Sequence, residues 1–454
     1  MHGSGRRWVV LALLLTVVAF ALPVRAESTH DRTVIKIGAL LDQQQNVLST
    51  SPLFTKAVEL AVLQMNDALK HRGARVEFQV VFGDTKSVAA NARTLALDMI
   101  NNQQVVGLLT ASSGETQGVN KYNYQDAALV NNVKVPIACF QCSSGFINDP
   151  NNTDPSFADP DKWLFRVFYN SNYEAAVLSQ VIVNSGGDTN GDGTLKVGIL
   201  HDGGHLALAQ AITPALIGNF FTTGQVQVTL TNVANFGGDP AAAWPQVIAG
   251  NPDVVVMAML PAAAGNGLKA YRAAGYPLPI LSNNSFRRDY ILADPTVGSV
   301  ADGIEGSSVT LVDDSASGRA FVKAFQAYTG QKPELTCSGA YDGAMTLMLA
   351  ALAAANDSHR PIEVTPGAVR DQLERINAPY GLKIRPRALD LSLATLLLRF
   401  GLPINYEGAY NSDDWNEAGD IFPPLVHWKV QGGQFVEQEY YACDPTQPLC
   451  PVAP

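Results

Sequence analysis

The sequence predicts an α/β protein of two doubly wound lobes with parallel sheets. Three observations carry that expectation. Short β-branched runs alternate with longer helical patterns, the alternation restarts after an irregular loop, and about 430 residues remain once a removable leader is set aside. Alternating strand and helix segments call for a parallel sheet covered on both faces. A chain of that length exceeds one ordinary core and divides into two.

The leader comes first. In MHGSGRRWVVLALLLTVVAFALPVRAES, Arg6 and Arg7 precede an apolar run from Trp8 to Leu22, and Val24 and Ala26 follow, which is the layout of a cleaved signal peptide over residues 1–26. The run is short for a membrane span, and no cysteine follows the cleavage point to carry a lipid. A periplasmic or secreted protein is expected, so disulfides are permitted. With 31 Lys and Arg against 41 Asp and Glu, and three arginines but no acid in the leader, the remaining balance is 28 minus 41, or −13. Such a surface argues against nucleic acid or an anionic membrane as partner.

Next, TVIKIGALL (33–41) reads as a strand, and SPLFTKAVELAVLQMNDALKHRG (51–73) as a helix opening near Pro52 and closing at Gly73. VEFQVVFGD is a strand, SVAANARTLALDMINN a helix, VVGLLTASSG a strand and turn, the stretch through NYQDAALVNN a polar helix, and KVPIACF a strand. Beyond a loop at 147–162 the pattern resumes. AAVLSQVIVNS, LALAQAITPALIGNFFTTG and GNGLKAYRAAG are helical, while KVGILHD, VQVTLTNV, DVVVMAML and PILSNNS are strands. Ligands of open parallel sheets lie beyond the carboxyl ends of the strands. The turns after VVGLLT, VPIAC, VGIL, VVVMAM and LPIL are therefore the candidate site.

Five cysteines cannot all pair within the chain. Cys443 and Cys450 flank DPTQPL in a proline-rich tail (443–454) and are expected to close a small disulfide loop, which leaves Cys337 beside Cys139 and Cys142. In VPIACFQCSSGF, a thioredoxin-like centre would need the first cysteine at a helix N-terminus, whereas Ser143, Ser144 and Gly145 suggest a loop. A zinc site would need two further ligands, and the seven histidines offer no pair at finger spacing. A Cys139–Cys142 disulfide or a buried thiol is the expected reading. A secreted thiol oxidoreductase using Cys139 and Cys142 is the rival from a different class.

Other constellations are weaker. HDGGH sets His201 and His205 four apart, but Gly203 and Gly204 argue against a helix and the zincin glutamate is missing. No G-x-S-x-G elbow and no phosphate loop occurs. DTNGDGTLKVGI begins like a calcium loop with Asp188, Asn190, Asp192 and Gly193, yet Ile199 stands where the bidentate glutamate belongs. A polar turn is expected there, with weak metal binding by ligands from elsewhere as the alternative. TASSGETQ (110–117) puts hydroxyls and a glycine between strand and helix, which suits an oxygen-rich ligand group and equally suits an ordinary turn.

Taken in order, IGALL, GDTKSVAANARTLALDMI, VVGLLTASSGETQ, VPIACFQCSSGF, LFRVFYNSNYEAAVLSQVI, VGILHD, LKAYRAAGYPLPIL, ADGIEGSSVTL, GAYDGAMTLMLAALAAA and INYEGAYNSDDWNEAGD resemble the leucine/isoleucine/valine-binding family of type I periplasmic binding proteins, from residue 33 to about 440. The resemblance implies two lobes joined by three crossovers, near Arg166 to Phe168, Ser308 to Thr310 and Asp420 to Pro423, and a cleft that closes by hinge motion. It divides the chain into lobe one at 33–165 and 311–420, and lobe two at 166–310 and 421–442. It implies no catalysis and no cofactor. The partners are a small organic solute and an ABC permease, or, as an alternative, a membrane signalling partner to which a sensory receptor reports.

By the same resemblance the ligand carboxylate lies at Ser112 and Ser113 and at the loop Phe140, Gln141, Cys142 and Ser143. On the other lobe His205 or Leu206 replaces a tyrosine, Leu260 replaces an aromatic, and Asn284 stands where amino-acid binders carry the acid that pairs the ligand ammonium. Asp302 and Asp289 are the candidate substitutes for that acid. A buried cation without a partner costs several kcal/mol. The expected ligand therefore has one oxygen-rich end and an apolar or aromatic body.

Overall fold

The computed structural model describes residues 32–43, 52–149, 151–185, 187–310, 315–357, 362–410 and 414–442. The leader at 1–26 and the tail cysteines Cys443 and Cys450 lie outside the described residues.

The first sheet holds β1 (Thr33–Leu41), β2 (Val76–Asp84), β3 (Val105–Ser112), β4 (Ile137–Gln141) and β5 (Leu164–Arg166), all parallel, in the order β2-β1-β3-β4-β5. Its first helices are α1 (Pro52–His71), α2 (Ala89–Asn101) and α3 (Ser113–Lys121). The polar helix expected after α3 is a π-helical turn at Tyr122–Asp126 followed by one turn at Ala127–Val130. Gly118 lets α3 press on the start of α2, because a Cβ there would collide with the Ala89 backbone carbonyl.

The second sheet contains β6 (Leu195–His201), β7 (Val226–Asn232), β8 (Val254–Ala258), β9 (Ile280–Ser282) and β10 (Glu305–Val309), mutually parallel and interleaved with α4 (Ser171–Ser185), α5 (Leu206–Asn219), α6 (Pro240–Ala249) and α7 (Pro261–Ala273). Two further strands, β13 (Leu425–Gln431) and β14 (Gln434–Tyr441), join it antiparallel, giving the order β14-β13-β10-β9-β8-β6-β7. This sheet is thus mixed rather than purely parallel. The mixing enters where β13 pairs antiparallel with β10, and Gly432 and Gly433, both at positive φ of 58° and 75°, then form a two-residue turn that returns β14 antiparallel to β13.

Between β10 and β13 the chain revisits the first lobe as α8 (Ala316–Thr329), α9 (Cys337–Asp357), α10 (Pro366–Ile376) and α11 (Ala388–Arg399), with a two-stranded sheet of β11 (Leu382–Ile384) and β12 (Ile404–Tyr406). In CSGAYDGAMTLMLAALAAAND, small and apolar residues occupy nearly every side, so α9 is buried from Cys337 to Ala355 against the first sheet. Each sheet carries an apolar cluster on both faces, which is the doubly wound arrangement. The chain crosses between the lobes three times: after β5, after β10 and before β13.

Candidate functional site

The carboxyl ends of β3, β4, β6, β8 and β9 meet at one cleft, as expected for open parallel sheets. It encloses a cavity of about 210 Å³.

The first-lobe wall begins where β3 runs into α3. Ser112 Oγ accepts the Glu115 N–H at 3.2 Å and the Glu115 carboxylate accepts the Ser112 N–H at 2.7 Å, a reciprocal cap. Burial raises the Glu115 pKa, against hydrogen bonds from Thr85 and Ser112 that favour the anion. Ser113 Oγ accepts the Ser144 N–H at 3.1 Å and so ties the serine turn to the loop after β4. Because both hydroxyls accept, both keep a proton to donate into the cavity, where the positive end of α3 adds its field. Gln141 reaches the same wall and donates to Thr336 Oγ1 at 2.6 Å.

That wall is locked from behind. Cys139 and Cys142 are disulfide-bonded and wholly buried. The Arg166 guanidinium donates to the carbonyls of Cys142, Ser144 and Ile147 and pairs with Asp420 at 2.7 Å. Asp420 also accepts from Asn170 at 3.1 Å, and Trp415 Nε1 donates to the Arg166 carbonyl at 2.9 Å. The first and third crossovers and the loop carrying Ser143 therefore share one buried ion pair.

On the second lobe, Asp202 caps the turn after β6 and holds His205, whose Nδ1 lies 2.9 Å from Asp202 Oδ1. Burial pushes the Asp202 pKa up, but the His205 hydrogen bond and the N–H groups of Leu260 and Gly204 outweigh it and hold the carboxyl below its usual range. His205 Nε2 lies 2.9 Å from Ser285 Oγ. Leu260, Pro261, Asn283 and Asn284 complete this side, and Phe168 and Tyr169 arrive from the first crossover. Behind Asn284 sits Glu174, which accepts the Asn284 N–H at 2.6 Å and the Tyr169 hydroxyl at 2.8 Å. Burial lifts its pKa to about 6, against those hydrogen bonds. Arg288, only 7% exposed, lines the cavity and donates to the carbonyls of Asn284 and Arg287 at 3.2 and 3.0 Å.

Of the residues singled out in the sequence, Ser112, Ser113, Gln141, Ser143, His205, Leu260 and Asn284 line this cavity. Phe140, Cys142 and Leu206 do not. Side chains alternate along a strand, so Phe140 points away from its neighbour Gln141 into the first-lobe core, edge-on to Phe54 at 5.3 Å. Cys142 is consumed by the disulfide. Leu206 opens α5 one residue past His205 and turns from the cavity. Arg288 also reaches this wall, its guanidinium engaged with the Asn284 and Arg287 carbonyls and lying in the field of Glu334. Ser87, Phe168, Tyr169, Asn283, Ser285 and Arg288 escaped the sequence reading. The aromatics at the first crossover and the paired arginines in SFRRDY were signals, since large or charged residues beside a hinge or strand end need a partner. The capping spacing of Ser112 and Glu115 was another.

The other chemistries have local explanations. Asp188 accepts the N–H groups of Gly191, Asp192 and Gly193, and Lys196 pairs with Asp192, so the 188–193 loop satisfies its own carboxylates. His201 turns to the Asp202 carbonyl at 2.9 Å, away from His205. Among the described residues no group of three or more His, Cys, Asp or Glu could hold a metal. Disulfide exchange needs access to a sulfur, and the Cys139–Cys142 sulfurs have none. Cys337 is buried and burial pushes its thiol well up. Asp302 accepts the Gly432 N–H at the β13–β14 turn, and Asp289 is exposed outside the cavity, so neither supplies the acid expected of an amino-acid site.

A cleft between two lobes that are joined by three chain crossings is the arrangement of a protein that closes over a solute. Its particular kind is set by the chain itself, which belongs to the periplasmic binding protein family, whose model matches residues 34–385. That family is one of solute binders rather than enzymes. Among solved structures, a leucine-binding protein of Thermotoga maritima aligns at TM-score 0.62 and 14% identity, over 89% of this chain and 98% of that one. A branched-chain amino acid transporter protein of Thermus thermophilus with bound valine gives 0.60 and 14%, over 91% and 97%. A solute-binding protein of an ABC transporter from Rhodopseudomonas palustris, in complex with 3,4-dihydroxybenzoic acid, gives 0.59 and 17%, over 91% and 99%. At these identities the likeness is one of fold. No curated protein matches in sequence. Among the described residues no helix is long and apolar enough to cross a membrane.

Proposed function

We propose that this protein is an exported solute-binding protein that captures a small carboxylate with an apolar or aromatic body and delivers it to an ABC importer. The observation that carries the ligand class is the lining of the cavity, which offers the serine hydroxyls of the first lobe and includes no Asp or Glu. Among the residues lining the cavity no Asp or Glu is present to pair with the ammonium of an α-amino acid, and the buried Glu174 behind Asn284 already accepts from the Asn284 N–H and the Tyr169 hydroxyl. A carboxylate finds donors in Ser112, Ser113 and the first turn of α3. Phe168, Tyr169, Leu260 and Pro261 supply apolar surface between the polar ends. Size agrees: a cavity of about 150 Å³ holds benzene, so about 210 Å³ suits one ring with a carboxylate. The likeness in fold to the protein bound to 3,4-dihydroxybenzoic acid supports this reading as much as the valine-bound likeness supports its rival.

A thermal-shift and calorimetric panel of benzoate-type acids, aliphatic acids, leucine and valine tests it. A ligand present at about 100 times its Kd should add about 2.7 kcal/mol of stability. Aromatic carboxylates should give that shift and leucine and valine should not. Tight binding of leucine or valine would restore the amino-acid function.

A further inference from the structure

We infer that the outer face of lobe one formed by α11 and the end of α1 is a docking surface for an anionic phospholipid membrane. The argument starts in the sequence of α11, ALDLSLATLLLR, which is apolar on nearly every side. A helix of that kind belongs in a core, as α9 does. In α11 only one side is covered, where Leu391, Ala394 and Leu398 are buried in the first-lobe core. Leu389, Leu393, Leu396 and Phe400 recur at spacings of four, three and four residues, which a helix brings to the opposite side. Leu389 is 75% and Phe400 63% exposed, Leu393 and Leu396 are half-buried between them, and Leu402 adjoins at 46%. An ordinary surface helix carries charged or polar residues there.

The charge around this ridge decides what covers it. Arg72, just past the end of α1, donates to the Ser392 hydroxyl at 2.7 Å and to its carbonyl at 3.2 Å, so the end of α1 lies along one edge of the ridge. Residues 67–75 and 383–407 hold seven Lys and Arg against Asp67, Asp390 and Glu407, a balance of 7 minus 3, or +4, in a chain whose formal charge is −10. Glu407 is already paired with Lys383 and Arg385. A second copy docked ridge to ridge would bring like charges together. An anionic membrane meets the face with opposite charge, and leucines and a phenylalanine flanked by Lys and Arg are the pattern of a helix that lies in the headgroup boundary. The acidic remainder of the molecule does not forbid the contact, because exposed charges more than about 8 Å apart are largely screened at physiological salt. For an exported solute binder this contact holds the protein in the plane of its importer and raises its local concentration there.

Flotation of the purified exported protein with vesicles of phosphatidylcholine, alone or mixed with about 30% phosphatidylglycerol, tests the inference. At low salt the protein should bind the anionic vesicles at least about tenfold better than the neutral ones, and about 0.5 M sodium chloride should release it. Each Lys or Arg near such a surface contributes about fivefold, so Lys70→Glu combined with Arg399→Glu should weaken binding at least about tenfold. Leu389→Ser combined with Phe400→Ser should weaken it as much by removing the inserted side chains. All four side chains are exposed, so both variants should keep the wild-type melting temperature. Equal binding to both vesicle types, binding to neither, or undiminished binding by both variants overturns the inference. A concentration-dependent dimer in analytical ultracentrifugation that Phe400→Ser abolishes, without vesicle binding, overturns it in favour of a second copy. Polyglutamate binding as tightly as the anionic vesicles, unaffected by the Leu389 and Phe400 changes, overturns it in favour of an acidic protein. Solute binding in the cavity is untouched by any of these results, so the carboxylate reading stands or falls separately.

Discussion

Replacing Arg288 by glutamine removes the one cation of the described cavity lining other than a protonatable histidine, and the cost can be worked from the cavity itself. A ligand carboxylate on the first-lobe side is taken to lie about 8 Å from the Arg288 guanidinium across the cavity. Two unit charges at that separation gain about 2 kcal/mol at an effective dielectric of about 20. That is about 30-fold in affinity. Calorimetry with benzoate should show this loss in Arg288→Gln, whereas benzamide, neutral and of the same shape, should lose less than about threefold. Arg288→Lys keeps the charge and should recover most of the benzoate affinity. The Asn284 and Arg287 carbonyls that Arg288 holds are a structural burden shared by both ligands, so they cancel in the comparison. Equal losses for benzoate and benzamide, or none for benzoate, would refute the electrostatic argument.

The remaining predictions concern the frame around the cavity. Asp420→Asn should lower the stability measured by urea unfolding by about 3 to 5 kcal/mol, because it strands the Arg166 guanidinium, 0% exposed, without its anion. Trp415, bonded to the Arg166 carbonyl, reports the loss by fluorescence, and a change below about 1 kcal/mol would contradict it. Ser113→Ala should weaken carboxylate binding by about 1 to 3 kcal/mol, since it removes a ligand donor and leaves the Ser144 N–H unpaired. Glu305 is held at a pKa of about 2, from 4.5, by His427 foremost and then Lys429 and Ser185, against burial. Its folded pKa is depressed, so its stabilisation is present above pH 4.5 and lost as pH falls towards 2. Subtracting the acid-unfolding profile of Glu305→Gln from that of wild type should reveal a loss of about 1 to 3 kcal/mol in that window, the partly exposed carboxylate being screened in part by solvent. Non-reducing peptide mapping should find Cys139 linked to Cys142, Cys443 linked to Cys450, and Cys337 unmodified by thiol reagents until the protein unfolds. Free Cys443 and Cys450 would remove the proposed tail loop.

The two-lobed architecture was legible in the sequence because periodicity is a local property. TVIKIGALL and VVGLLTAS must pair as strands, and CSGAYDGAMTLMLAALAAAND, apolar on nearly all sides, must be buried. The serine turn was legible for a similar reason, since TASSGETQ sets hydroxyls and a glycine between a strand and a helix. The antiparallel pair β13–β14 was also written locally, in Gly432 and Gly433, but its placement beside β10 was not. What only the tertiary structure decided is which side chains converge. Phe140 and Gln141 are neighbours in sequence and opposites in space, because strand pleating sends one to the core and the other to the cleft. Arg166 meets Asp420 across 254 residues, and His205 meets Ser285 across 80. The charge of the cavity turned on Arg288, whose entry depends on how the segment after β9 folds back. A sequence specifies the donors and acceptors a chain owns, whereas their pairing is set by which strands end at the same edge of a sheet.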